Sequence, residues 1–273
     1  MTAQERANQC VATGIRKEFA TLSVEGLHIH FGGLAALDGL DLTVFDMDIA
    51  GLIGPNGAGK TTAFNLITGV YRPTKGRIVF QGRDVTGMRP NEVTRQGIAR
   101  TFQNIRLFRN LSVLDNVRVA YHYHSRSSIL ESILRTGRFR DEERGITEKA
   151  REFLRLFRLE HRADALAGSL PHGEQRRLEI ARALATEPRL LLLDEPAAGM
   201  NHTETGELME MIHWVRDEFH ITVLLIEHDM RFVMGICRQI TVLDHGRVIA
   251  CGTPDEVRQD AAVIEAYLGE ARR

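Results

Sequence analysis

The stretch "GPNGAGKTT", Gly54 to Thr62, gathers the residue types that hold the phosphates of a nucleotide. Gly54, Gly57 and Gly59 let a loop turn tightly enough for backbone N–H groups to converge on anionic oxygens, and Pro55, Asn56, Ala58 and Thr62 complete the candidate binding set. Lys60 can neutralise the β- and γ-phosphates, and the Thr61 hydroxyl can ligate magnesium. Hydrolysis also needs a carboxylate on the metal and a group that positions water. "LLLLDE" supplies both: Asp194 to hold magnesium through water and Glu195 as general base, the two pointing to opposite sides of a strand end. His228 in "IEHD" closes the next strand, where it would contact the γ-phosphate and hold the water in line. A second anion device follows in "SLPHGEQRRLEIARA", where Gly173 and polar neighbours open an amphipathic helix.

The surrounding patterns say what must carry these residues. "LSVEGLHIHF" and "LAALDGLDLTVF" read as an antiparallel hairpin, after a polar, aperiodic tail over residues 1–20. "DIAGLIG" is a short buried strand running into the phosphate loop, and "KTTAFNLITGV" continues as a helix. "GRIVFQG" is a strand, and "NEVTRQGIARTFQ" is a helix leading into another. Ser112 and Asp115 stand in capping-box spacing at a helix start, and helical periodicity then runs through residues 116–187. Residues 104–187 therefore read as an inserted helical subdomain, with the charge run "RFRDEER" on a solvated face or loop. "RLLLLDE" and "TVLLIEHD" are strands covered on both faces, joined by the helix "ETGELMEMIHWVRDEF" in a βαβ unit. "QITVLDHGRVIACGTP" turns at Asp244, His245 and Gly246, and Thr253, Pro254 and Glu256 open one last helix. There are no internal repeats and no low-complexity segments.

With 273 residues, 43% apolar and 26% charged, the chain can bury a sizeable core. Its net charge of −1 gives no global attraction to nucleic acid or anionic lipid, so phosphate recognition has to be local. The odd set Cys10, Cys237 and Cys251 lacks CxxC spacing, which argues for a reducing compartment and against a disulfide framework or zinc site. His122 and His124 in "YHYH" lack a second ligand pair and read as surface residues. "MTAQERANQC" lacks the apolar stretch of a signal peptide, and the apolar runs are too short to span a bilayer. Any service to a membrane would go through a partner.

In their order, "GPNGAGKTT", Gln103, "LPHGEQ", "LLLLDEP", "AAGMN" and His228 resemble the ATP-binding subunits of ABC transporters, from about residue 21 to the C-terminus. "GIARTFQNIRLF", "QRRLEIARALAT", "LLIEHDMRFVMGIC" and "VIEAYLG" look like the longer of the two ATPase subunits of branched-chain amino-acid importers, wording shared with relatives that handle urea or small amides. The resemblance implies an α/β P-loop NTPase core of ABC type with a mostly parallel sheet, an N-terminal antiparallel β subdomain and the helical insertion, all in one domain over 21–273. It implies ATP and Mg2+ as cofactors and ATP hydrolysis as the chemistry. Phe31 would stack on adenine, or else close a strand as core. Gln103 would sense magnesium and the membrane partner, and residues 197–201 would cross a dimer interface. In a head-to-tail dimer, Pro171, His172, Gly173, Glu174 and Gln175 would face the ATP held by the other subunit, which explains two anion devices in one chain.

The implied partners are a second ATPase subunit, identical or a shorter paralogue, membrane permease subunits and, indirectly, a substrate-binding protein, with no nucleic acid. The implied location is the cytoplasmic face of the cell membrane. Ile105, Leu107, Phe108 and Leu111 would dock the permease or else form subdomain core. The chain departs from the family pattern where Pro171 replaces a Ser, His172 a Gly and Glu174 a Gln, and where Met47 replaces the Gly of the turn before the phosphate loop. A soluble ABC ATPase acting on nucleic acid would carry two nucleotide domains or a long coiled coil, and a switch GTPase would carry N-K-x-D; neither pattern occurs.

Overall fold

The structure, a computed structural model, describes residues 20–122 and 137–270. The expected tail therefore lies outside the described residues except for Ala20, which already begins the first strand, and His124 also lies outside them. The chain forms two compact units, residues 101–188 and the remainder.

The first unit opens with β1 (Ala20–Phe31) and β2 (Leu34–Phe45), the expected antiparallel hairpin. β3 (Ile49–Ile53), buried at every residue, leads through the phosphate loop into α1 (Lys60–Ile67). β4 (Lys75–Phe80), the two-residue β5 (Arg83–Asp84), α2 (Pro90–Gln96) and β6 (Ile98–Arg100) follow. Between β2 and β3 the turn places Met47 at φ 58°, the left-handed conformation that a Gly would adopt without strain. Its N–H donates to the Thr222 hydroxyl at 3.1 Å, which holds the turn despite the side chain.

The second unit is helical. α3 (Val113–Tyr121) starts on Ser112, whose hydroxyl accepts from the Asp115 amide, and α4 (Gly137–Leu156) carries the charge run. After two short 3-10 turns comes α5 (His172–Leu184). Within this unit the buried Arg176–Glu179 ion pair, 2.7 Å, anchors α5 to the segment after residue 101: Arg176 donates to the Phe102 and Gln103 carbonyls, and Glu179 accepts from the Phe102 and Arg106 amides. His122 pairs with Glu143 at 3.1 Å.

The chain then re-enters the first unit with β7 (Leu190–Asp194), α6 (His202–Phe219) and β8 (Thr222–Ile226), the expected βαβ unit. α6 begins two residues earlier than the apolar pattern suggests, because Asn201 and Glu204 form a capping box. α7 (Met230–Ile236), β9 (Gln239–Asp244) and β10 (Arg247–Gly252) follow, the last two joined by His245 and Gly246 at positive φ. One closing helix was expected; two are present, α8 (Pro254–Gln259) and α9 (Ala261–Glu270). The break is local competition: the Asp260 carboxylate accepts from the Ala262 amide and starts a new helix.

Two sheets result, one of order β2-β1-β4-β5 and one of order β10-β9-β3-β8-β7-β6. In the second, β9, β3, β8, β7 and β6 pair in parallel, and only β10 is antiparallel. Parallel strands buried on both faces send their C-terminal ends to one edge, where α/β proteins place their ligands.

Candidate functional site

Three neighbouring strands, β3, β8 and β7, deliver the chemistry to that edge. β3 runs into the phosphate loop, β7 ends in Asp194 with Glu195 next, and β8 is followed by Glu227 and His228.

The loop itself is built by close backbone packing. Gly54 has φ 148°, and a Cβ there would lie 2.0 Å from the Leu243 carbonyl oxygen. Gly59 has φ 105°, with a Cβ position 2.7 Å from the Ala36 oxygen. Gly59 caps α1 without any side-chain hydrogen bond, and the first turn of the helix holds no acid, so its amides and dipole face an incoming anion. Lys60 is buried, its ammonium donating to the Gly54 and Pro55 carbonyls at 2.7 and 2.8 Å, which holds the charge inside the loop. Thr61 is exposed, Pro55 and Ala58 are buried, and Asn56 and Gly57 are exposed.

Asp194 and Glu195 do not alternate as strand neighbours. β7 stops at Asp194, and Glu195 takes φ 46° while its amide still donates to the Ile226 carbonyl at 2.9 Å. The chain turns at Glu195, as shown by the Ala198 amide reaching back to the Glu195 carbonyl at 3.2 Å. A left-handed glutamate at a strand end is strain of the sort that functional sites retain. Its Oε2 lies 3.7 Å from His228 Nδ1, and the His228 side chain is 62% exposed. Carboxylate and imidazole thus stand together at the edge.

Two side chains here escaped the sequence reading. Arg100, ending β6, donates to Asp194 Oδ2 at 2.6 Å and to Asn65 Oδ1 of α1 at 2.7 Å, with side chains of Arg100 and Asp194 only 7% and 5% exposed. A charge-assisted bond of this length fixes the Asp194 carboxylate and ties it to the helix of the phosphate loop. Glu227 is 1% exposed, accepting from the Ala197 and His228 amides at 2.8 and 3.1 Å. Burial pushes its carboxyl above the ordinary range, and the amides of Ala197, His228 and Asp229 oppose that shift. The available signal in each case was a charged residue closing a wholly apolar strand.

Phe31 is 46% exposed, so it is not core; its ring meets Tyr71 edge to face at 5.2 Å. Gln103 and residues 171–175 belong to the helical unit. Pro171 caps α5 with no side-chain hydrogen bond, and Pro171 and His172 are exposed. Glu174 is held by Arg162 at 3.3 Å, and Gln175 donates to the Leu170 carbonyl at 2.8 Å. At Gly173 a Cβ would meet none of the described residues within 4 Å.

The ABC transporter family matches residues 37–198, and the branched-chain amino acid ATP-binding cassette transporter family matches residues 247–272. Over 250 residues, 92% of this chain and 98% of the relative, the sequence is 47% identical to the high-affinity branched-chain amino acid transport ATP-binding protein BraF of Pseudomonas aeruginosa. It is 45% identical, with the same coverage, to LivG of Escherichia coli, a protein of the same description. Among solved structures, the ADP conformation of an ATP-binding cassette of an ABC transporter aligns with a TM-score of 0.80 at 33% identity, covering 92% of this chain and 99% of that one.

Proposed function

Because the chain belongs to the ABC transporter family, we propose that it is the ATP-hydrolysing subunit of an importer for branched-chain amino acids, working as one half of a dimer beneath permease subunits. The observation that carries the chemistry is the placement of Glu195 and His228, 3.7 Å apart, just past the ends of β7 and β8, on the sheet edge where β3, the neighbour of β8, enters the phosphate loop. The loop and the start of α1 bind the ATP phosphates, and Phe31 stacks on the base. Glu195 takes a proton from the attacking water while His228 holds that water and the γ-phosphate in line. The Thr61 hydroxyl and the Asp194 carboxylate are hard oxygen donors of the sort magnesium prefers, and Arg100 fixes the Asp194 carboxylate on its Oδ2 side. Magnesium, when bound, neutralises charge on the phosphates. Gln103 couples that centre to the permease.

A head-to-tail dimer gives the second anion device its purpose. Among the described residues nothing in the packing requires Gly at 173, whose Cβ would be in open space, so the absent side chain leaves room for something from outside. The Glu174 carboxylate, drawn to Arg162, does not oppose an approaching phosphate as a lone charge would. Residues 172–174 then offer first-turn amides of α5 to the partner's γ-phosphate, with Pro171, whose carbonyl accepts from the Gln175 amide at 2.9 Å, setting the entry and His172 at the rim. Residues 197–201 cross the interface. Among the apolar residues after Gln103, Phe108 and Leu111 are 49% and 38% exposed and present a surface to the permease. Among the described residues no helix is long and apolar enough to cross a membrane, so attachment to one goes through those subunits.

Two experiments test the reading. Glu195→Gln should bind ATP normally and lose hydrolysis about 10²- to 10⁴-fold; near-normal turnover would remove Glu195 as the base. With permease and binding protein reconstituted in vesicles, leucine, isoleucine or valine should stimulate hydrolysis. Stimulation by urea or a small amide alone would reassign the substrate.

A further inference from the structure

Glu227 is a buried acid that the mechanism above does not use. Its carboxylate accepts from the amide of Ala197, in the loop that follows Glu195, and from the amide of His228, in the turn that follows β8. The Asp229 amide adds to this set, and Asp229 in turn caps α7 by accepting from the Arg231 amide at 2.8 Å. The imidazole of His228 lies 3.8 Å from the same carboxylate and 3.7 Å from Glu195. One side chain therefore links the backbone behind the proposed base, the backbone of the proposed phosphate-contacting histidine, and the start of the next helix.

We infer that Glu227 is a positioning residue that locks the 197–201 loop and the His228 turn into a single unit, so that the two shift together. The physical reason is that a buried carboxylate cannot give up its donors singly. Burial already disfavours its charge, and the amides that compensate come from both loops. Movement of one loop alone would leave part of the charge without donors on a side chain that is only 1% exposed. Concerted movement keeps the set intact. Because the 197–201 loop faces the second subunit in the reading proposed above, the same lock would pass closure of the dimer to His228, and to that extent the inference rests on that reading.

Glu227→Gln tests it in the full chain. The substitution preserves length but replaces one accepting oxygen with a donating NH2 group that faces N–H groups. Hydrogen exchange without nucleotide should rise by a similar factor, about tenfold, in peptides covering 196–201 and 227–231, while β3 and β9 stay as in the wild type. In turnover, kcat should fall about tenfold or more with the KM for ATP within about twofold, because the phosphate loop, which carries the main ground-state contacts, is untouched. In a His228→Ala background, Glu227→Gln should add less than about twofold. If Glu227→Gln fails to fold, Glu227→Asp, which retains the charge but withdraws it from the donors, should give the same paired exchange. Exchange unchanged in both loops, raised in only one, or raised across the whole sheet would overturn the inference, as would fully multiplicative effects with His228→Ala. A wild-type chain that does not hydrolyse ATP would defeat the proposed function instead, and the exchange experiment would still decide this point.

Discussion

Glycine stands at two contrasting helix starts, in the phosphate loop before α1 and in the first turn of α5, and the difference between them separates what the fold needs from what the proposed partner needs. At the phosphate loop, Gly54 and Gly59 have positive φ and their missing Cβ atoms would strike the Leu243 and Ala36 carbonyls, so the chain's own packing dictates glycine. At the start of α5, Gly173 has no such neighbour within 4 Å. The first loop is complete within one unit, with Lys60 held by Gly54 and Pro55 and Asp194 held by Arg100. The second ends in exposed Pro171 and His172. A self-contained site and the proposed half-site can share a similar sequence logic and be told apart by what fills the space beside the glycine.

Substitutions can break or sharpen this contrast. The largest effect should come from Arg100→Met on the self-contained side, which leaves Asp194 buried without its guanidinium: about 3–5 kcal/mol of stability should be lost, lowering Tm by roughly 6 °C or more. Thermal unfolding measures it, and a loss under about 1 kcal/mol would mean the pair is not structural. Gly54→Ala comes next, with about 2–4 kcal/mol lost to backbone strain and overlap. Gly173→Ala should leave stability within about 0.5 kcal/mol of wild type and yet reduce hydrolysis roughly a hundredfold, by pushing the opposing phosphate away. A Gly173→Ala chain that unfolds early would erase the contrast. Glu174→Gln should do least, because its pair with Arg162 is partly exposed: stability should change by under about 1 kcal/mol and hydrolysis by less than about twofold.

Much of this was legible in the sequence because period and spacing carry it. The hairpin, the apolar runs of β7 and β8, and the phosphate loop between a strand and a helix all follow from patterns that local chemistry enforces. Residues whose roles depend on distant partners were less legible. Arg100 meets Asp194 across 94 positions, and Glu227 meets the Ala197 amide across 30. Nothing local to "IAR" or "IEHD" specifies those contacts. Conformations that contradict propensity were also hidden: Met47 and Glu195 adopt positive φ where residue type predicts otherwise, held by the Thr222 hydroxyl and the Ile226 carbonyl. The split of the last helix at Asp260 shows the opposite case, a capping residue visible in the sequence whose competition with the helix was underweighted.

If the two helix starts serve different nucleotide molecules, as proposed, the affinity of the isolated chain for ATP should depend on one of them and not on the other. Gly173→Asp should bind ATP within about twofold of wild type, since in the proposed dimer the 171–175 segment serves the partner's nucleotide. Lys60→Ala should weaken binding about 10- to 100-fold, as expected for the loss of a charge-assisted contact. An isolated Gly173→Asp chain that loses ATP affinity as severely as Lys60→Ala would contradict the account, because both segments would then be binding the same molecule.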